Sequence, residues 1–131
     1  MFRDMEEFEQ KIRNDKEANK YLFSLRFPIG FICPKCNFSQ FYFNNNSVNY
    51  TCKQCRTDTN LKQGSIFEGN GCTIYKLLKA VMYIKLIPEL TLESFKKLIL
   101  MGASNAGKIY TEVRVNEEKE LKEIIYARTN S

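Results

Sequence analysis

Cys33-Pro34-Lys35-Cys36 and Cys52-Lys53-Gln54-Cys55 constrain this chain more than any other feature. Two residues between paired thiolates let one tight turn present both sulfurs to a single ion, and two such turns close a tetrahedron. The pairs stand 15 residues apart, within the spacing used by four-cysteine ribbons. Their flanks, FICPKCNFSQFYF and VNYTCKQCRTDTNL, are rich in aromatic and β-prone residues, and Asn44-Asn45-Asn46-Ser47 between them has the composition of a hairpin turn. Asn37 follows the first pair, where a positive φ is often required and glycine or asparagine suits it. The expectation is a small four-cysteine zinc ribbon, three-stranded and antiparallel, that holds one Zn2+ ion through Cys33, Cys36, Cys52 and Cys55.

Other uses of four cysteines fit less well. Two disulfides need an oxidising compartment, and the opening MFRDMEEFEQ lacks the apolar segment of a secretory leader, so the chain reads as intracellular. A thioredoxin-type centre uses one CxxC at a helix start. An iron–sulfur cluster takes the same donors and stays open. A catalytic zinc needs an open position or a non-cysteine ligand, and the chain has no histidine. Cys72, the fifth cysteine, reads as a small buried hydrophobe outside the metal set.

With 131 residues, 44% of them apolar and 27% charged, the chain can bury one core of ordinary size or two very small ones. Its longest apolar stretch is interrupted by Lys85, so no membrane span is expected. The net charge of +5 is unevenly spread: residues 26–63 carry 5 basic and 1 acidic group and residues 64–110 carry 6 and 3, whereas both ends are nearly balanced. A basic centre between neutral ends fits a nucleic-acid contact surface better than a generally basic tail does.

The rest of the chain has helical periodicity. One or two short helices are expected between Glu6 and Leu25. Thr73 is placed to cap a largely apolar helix running to about Ile87, with Lys76 and Lys79 on its wet edge and Pro88 at its end. Thr91 is placed to cap a second helix, with Leu92, Phe95, Leu98 and Ile99 inward and Lys96 and Lys97 outward.

LILMGASNAGKIY, residues 98–110, looks like a phosphate-binding loop. Such a loop needs a serine or threonine after the lysine to hold magnesium, and here Ile109 follows Lys108. Ser104 instead suits the cap of a third helix, on which Ala106, Ile109, Tyr110 and Val113 share one face. Helix, glycine-containing turn and helix form a helix-turn-helix pattern, so no nucleotide is expected.

Taken together, the turn Arg26-Phe27-Pro28-Ile29-Gly30, the two cysteine pairs, Gly64-Ser65-Ile66-Phe67 and the helices from Thr73 to about Tyr126 resemble the N-terminal region of zinc-ribbon insertion-sequence transposases, over roughly residues 17–126. Asn37 stands where that family usually has glycine, and Phe27 and Tyr75 stand where it favours tryptophan. In the family an acidic-triad nuclease core follows, whereas this chain stops at Ser131 and its only aspartates are Asp4, Asp15 and Asp58. The resemblance implies a nucleic-acid-binding part without its enzyme.

The resulting expectation is an α+β chain with a helical lead-in at 1–30, the zinc ribbon at 31–70 and a three-helix segment with a helix-turn-helix at 71–131. Ser104, Asn105, Lys108 and Thr111 would approach a groove while Lys35, Lys53, Arg56, Lys96 and Lys97 hold phosphates. The expected partner is DNA, with structured RNA, a ribonucleoprotein such as the ribosome, or a protein as the alternative, and with no role for a membrane.

Overall fold

Short polar side chains start four of the helices in the computed structural model, which describes residues 2–126; Met1 and residues 127–131, the outer ends of the expected 1–30 and 71–131 ranges, lie outside the described residues. Asp4, Asn14, Thr73 and Thr91 each accept a hydrogen bond from the amide three positions on, satisfying a donor that the first helical turn leaves free. The helices so begun are α1 (Met5–Lys11), α2 (Asp15–Arg26), α3 (Ile74–Leu86) and α4 (Leu92–Ile99). The strands β1 (Phe41–Asn44), β2 (Asn49–Cys52) and β3 (Asp58–Asn60) lie between α2 and α3, and α5 (Ala103–Val115) and α6 (Leu121–Tyr126) complete the order.

The three strands form one antiparallel sheet in the order β1-β2-β3, the α+β arrangement expected from the sequence. Asn44 closes the hairpin by accepting from the amides of Asn46 and Ser47 at 2.9 and 3.2 Å. Alternation sends Phe41 and Phe43 to one face and Tyr42 to the other, where the register sets Tyr42 beside Thr51 and Thr51 beside Asp58. The phenylalanine face receives α2. Phe23 stacks on Phe41 at 4.9 Å and lies 5.1 Å from Phe27, and Tyr50 presents its ring to Phe23, Phe27 and Phe31.

Helix α3 is the centre of the helical part, with Ile74, Leu77, Leu78, Ala80, Val81, Met82 and Ile84 buried as its composition predicts. Helix α5 packs on it through Ala106, Ile109 and Val113, and α4 meets α5 through Phe95, whose ring lies 5.9 Å from Tyr110. Helix α6 then returns to the ribbon. The Ile66 amide donates to the Ile125 carbonyl at 2.9 Å, and the buried Tyr126 hydroxyl donates to the Leu61 carbonyl at 2.8 Å.

Two sequence expectations are corrected here. Ser104 does not cap α5: the helix starts one residue earlier, with Gly102 as the cap residue, no side-chain cap bond, and the Ala106 amide bonded to the Gly102 carbonyl. Ser104 is therefore an exposed first-turn residue. Leu98 does not face inward but is 50% exposed. An eight-residue helix meets its neighbours along one narrow stripe, here Phe95 and Ile99, and Leu98 projects to its uncovered side.

Leu100 joins α4 to α5 at φ 51° and ψ 49°, a left-handed conformation that branched or bulky side chains avoid. Its carbonyl accepts from Lys76 Nζ at 2.7 Å, but its side chain is 81% exposed and adds little packing. Leu100→Gly is therefore expected to raise the stability of the chain by about 1 kcal/mol, read from a denaturant midpoint at unchanged slope. A loss of stability would mean that the leucine packs.

Candidate metal centre and the basic surface around it

The two cysteine turns are near copies of one another. In the first, the Cys33 amide donates to the Phe38 carbonyl at 2.9 Å and the Cys33 carbonyl accepts from Asn37 at 2.9 Å. In the second, the Cys52 amide donates to Thr57 at 3.1 Å and the Cys52 carbonyl accepts from Arg56 at 3.0 Å. Each turn closes on a left-handed residue, Asn37 at φ 64° and Arg56 at φ 63°. The first follows the sequence reading, whereas an arginine gives no such signal.

These turns bring the sulfurs of Cys33, Cys36, Cys52 and Cys55 within 4.8 Å of one another, with Cys33–Cys55 at 3.6 Å and Cys36–Cys52 at 3.5 Å. Those separations are far beyond an S–S bond. They are close to the edge of about 3.8 Å that a tetrahedron needs when each sulfur lies about 2.3 Å from a central ion.

The protonation of the cluster points the same way. The Phe38 amide pulls the Cys36 thiol down, but burial and the facing sulfurs of Cys52, Cys55 and Cys33 outweigh it and push the thiol up to about 12. The hydroxyl and amide of Thr57 hold Cys55 down at about 6, with Thr57 Oγ1 3.1 Å from the sulfur. Burial opposes ionisation of Cys52, but the amides of Cys55 and Gln54 overcome it and lower its pKa. Amides aimed at sulfur favour thiolates, yet four thiolates this close repel unless a cation sits among them. The donor set and its spacing fit a single metal ion. Cys72 stands outside this group. It is half-buried rather than fully buried, in a turn where its amide donates to Asn70 and its carbonyl accepts from Lys62 Nζ.

Several cations, three counted in the basic centre and a fourth, Arg114, just beyond it, are committed to the fold. Lys62 donates to the carbonyls of Asn70 and Cys72, both at 2.6 Å, and burial pushes its ammonium below the usual lysine range. Arg26 donates to the Gln63 carbonyl and lies over the rings of Phe27, Tyr50 and Tyr126. Lys85 binds the carbonyls of Glu117 and Lys119 at 2.8 and 2.7 Å. Arg114 donates to the carbonyls of Ile84, Ile87 and Leu90 at 3.0, 3.1 and 2.7 Å, closing the last turn of α3.

The remaining predicted contacts divide into two regions. Lys35 and Lys53 are exposed inside the two cysteine turns and Arg56 just after the second. Lys53 Nζ lies 4.8 Å from the Tyr42 ring centroid and the Arg56 guanidinium 5.9 Å from it, so the structure gathers both around one tyrosine that is itself 53% exposed. Tyr42 was not singled out in the sequence, and its odd place in the FYF alternation is the signal that could have found it.

The second region is α4 and α5. Ser104, Lys108 and Thr111 are exposed and Asn105 is half-buried. Lys108 and Thr111 share a cleft of about 550 Å³ with Ile66, Glu68, Gly107 and Glu112. The local field there mixes both signs. Lys97 is exposed, and Lys96 pairs with Glu93 at 3.6 Å. Among the described residues no helix is long and apolar enough to cross a membrane.

No curated protein and no solved structure matches the chain. Residues 13–58, about a third of the chain, match the family model of the transposase zinc-ribbon domain, and this stretch, which holds α2, β1, β2 and all four clustered cysteines, is similar to that domain.

Proposed function

We propose that the chain is a zinc-binding module that binds nucleic acid, without a catalytic step of its own. Cys33, Cys36, Cys52 and Cys55 are its ligands in a closed structural site. The observation that carries the nucleic-acid reading is the rim of the cysteine cluster, where Lys35, Lys53 and Arg56 stand exposed with Tyr42 among them. A zinc ion held by four thiolates carries two net negative charges, which three cations more than offset. The carboxylate of Asp58, in the same row as Tyr42, accepts from the Thr51 hydroxyl. The match to a transposase zinc-ribbon domain and the arrangement of α4, a three-residue turn and α5 favour DNA. Ser104, Asn105, Lys108 and Thr111 then extend the contact along α5, with Lys97 and Lys96 beside it.

Each cation that neutralises a phosphate releases about one counterion. Lys53→Glu with Arg56→Glu is expected to weaken duplex DNA binding at least about tenfold and to lower the log–log salt slope by about 2, measured by fluorescence anisotropy across a salt series. Lys108→Ala should lower the slope by about 1 if α5 takes part. If the ribbon pair changes neither affinity nor slope, the ribbon is not the contact surface. The exposed Leu98 and Leu100 beside Lys97 favour a second reading, docking on a ribonucleoprotein such as the ribosome or on a protein. Binding to structured RNA or to ribosomes, with duplex DNA left unbound, would select it.

A further inference from the structure

On the other face of β1 from Tyr42, the structure holds a groove of about 420 Å³ between α2 and the edge of the sheet. Phe23, Phe41 and Phe43 form its wall, each half-buried and so open to an incoming group. Lys16, Asn19, Lys20 and Phe23 fall at helical spacing on one stripe of α2, which places two exposed ammonium groups at the groove. Among the described residues no carboxylate lines it. Asn19, only 3% exposed, donates to the Asn45 amide oxygen across a long 3.4 Å, and Asn45 is exposed in the hairpin turn.

We propose that this groove takes an unstacked nucleobase of a single strand, with the adjoining phosphate on Lys16 and Lys20. The proposal rests on the nucleic-acid reading above and deepens it by naming single-stranded polymer as a ligand. Three aromatic walls offer a surface for the flat face of any base, and two lysines complement an anion attached to that base, the nearby Glu17 lying outside the lining and being held by Arg13. The volume lies within the range of small-ligand pockets and exceeds what one base fills. A paired and stacked base cannot enter, because its faces are already covered by its neighbours. β1 is an edge strand, so a nucleotide chain can pass along it without displacing a strand partner. Asn45 also lines the groove, and its amide NH2 can meet the acceptors of a base edge while its oxygen accepts from Asn19.

The test uses the full zinc-loaded chain with a fluorescein-labelled oligothymidine of about ten nucleotides, within the site sizes of single-strand binders, and a duplex of equal length. Lys16→Glu with Lys20→Glu is expected to weaken single-strand binding about tenfold and to lower its salt slope by roughly 1.4, with a several-fold smaller effect on the duplex. Phe43→Ala should weaken single-strand binding about tenfold while leaving the salt slope unchanged. Phe43 also touches Phe23, so its variant counts only if zinc content and circular dichroism match the parent; the lysine variant, altered at two exposed positions, carries the test otherwise. Addition of unlabelled oligothymidine should shift the ring resonances of Phe23, Phe41 and Phe43.

Single-strand and duplex affinities that fall equally in the lysine variant would reduce the groove to part of a general positive field and overturn the proposal. Duplex binding without single-strand binding would overturn it and leave the nucleic-acid reading standing, whereas binding to neither polymer would remove both. An acidic phenylalanine-containing peptide that shifts the same ring resonances where oligothymidine does not would make the groove a protein site.

Discussion

Replacing Cys52 with serine is expected to reduce bound zinc from one ion per chain to less than about a tenth and to unfold the ribbon, because the binding energy of a structural zinc is folding energy. A structural zinc contributes on the order of 10 kcal/mol or more at neutral pH. That is comparable with the whole stability of a domain of this size. The sheet that joins the two turns is small, since β1 and β2 have four residues each and β3 has three, and its aromatic packing against α2 lies on one face only. The same loss is expected for Cys33, Cys36 and Cys55, and for the parent protein treated with a chelator. Cys72→Ser is expected to keep a full complement, since its sulfur stands outside the cluster. Metal analysis alongside amide spectra decides the matter. Equal zinc in the Cys52 and parent proteins would remove the assignment, as would iron in place of zinc.

Arg114→Met is expected to cost about 3 kcal/mol and to lower the melting temperature by about 10 °C, without a matching loss of nucleic-acid affinity in the protein that stays folded. By charge alone Arg114 is the other obvious cation of α5. In the structure its guanidinium satisfies the carbonyls of Ile84, Ile87 and Leu90, lies 5.1 Å from the Tyr110 ring centroid and pairs with Glu117 at 2.9 Å. Methionine keeps much of the stem's volume but removes the donor of the Ile84 carbonyl, which Pro88 has no amide to satisfy, together with the Glu117 pair, while Ile87 and Leu90 keep the Leu90 amide and the Tyr110 hydroxyl. Lys108→Ala, at an exposed site, should leave the melting temperature within about 2 °C of the parent. Should Arg114→Met instead melt with the parent and lose affinity, the guanidinium would be a contact rather than a cap.

The ribbon was legible because its constraint is local and chemical: two residues between thiolates leave few geometries, and an asparagine after the first pair announces the left-handed turn at Asn37. Thr73 and Thr91 were legible for a similar reason, since a capping hydroxyl acts only three residues away. Charge was less legible. Summed along the chain, residues 1–25 look neutral, yet α2 turns Lys16 and Lys20 to the aromatic groove while no acid of that segment lines it. Conversely, the basic centre lends Arg26, Lys62 and Lys85 to carbonyls that no count of letters can locate. Leu98 was misplaced because helical spacing says which residues share a face but not how wide a stripe the neighbours cover.

The return of α6 to the ribbon has a consequence for how the chain folds. The bond from Tyr126 to Leu61 spans 65 residues, and the cation over the Tyr126 ring comes from Arg26, further back still. Closing a loop of that length costs on the order of 4 kcal/mol of chain entropy, so the contact becomes favourable only once both of its platforms exist. The hairpin and the α3–α5 packing rely on nearer neighbours and can form first, each on its own clock. Docking of α6, together with the packing of α1 and α2 on α3, then joins them, and its rate reports on ion capture at one end of the molecule and helix assembly at the other. Until it occurs, Leu61, Ile66 and Phe67, which the finished structure keeps almost entirely from water, remain open to other chains.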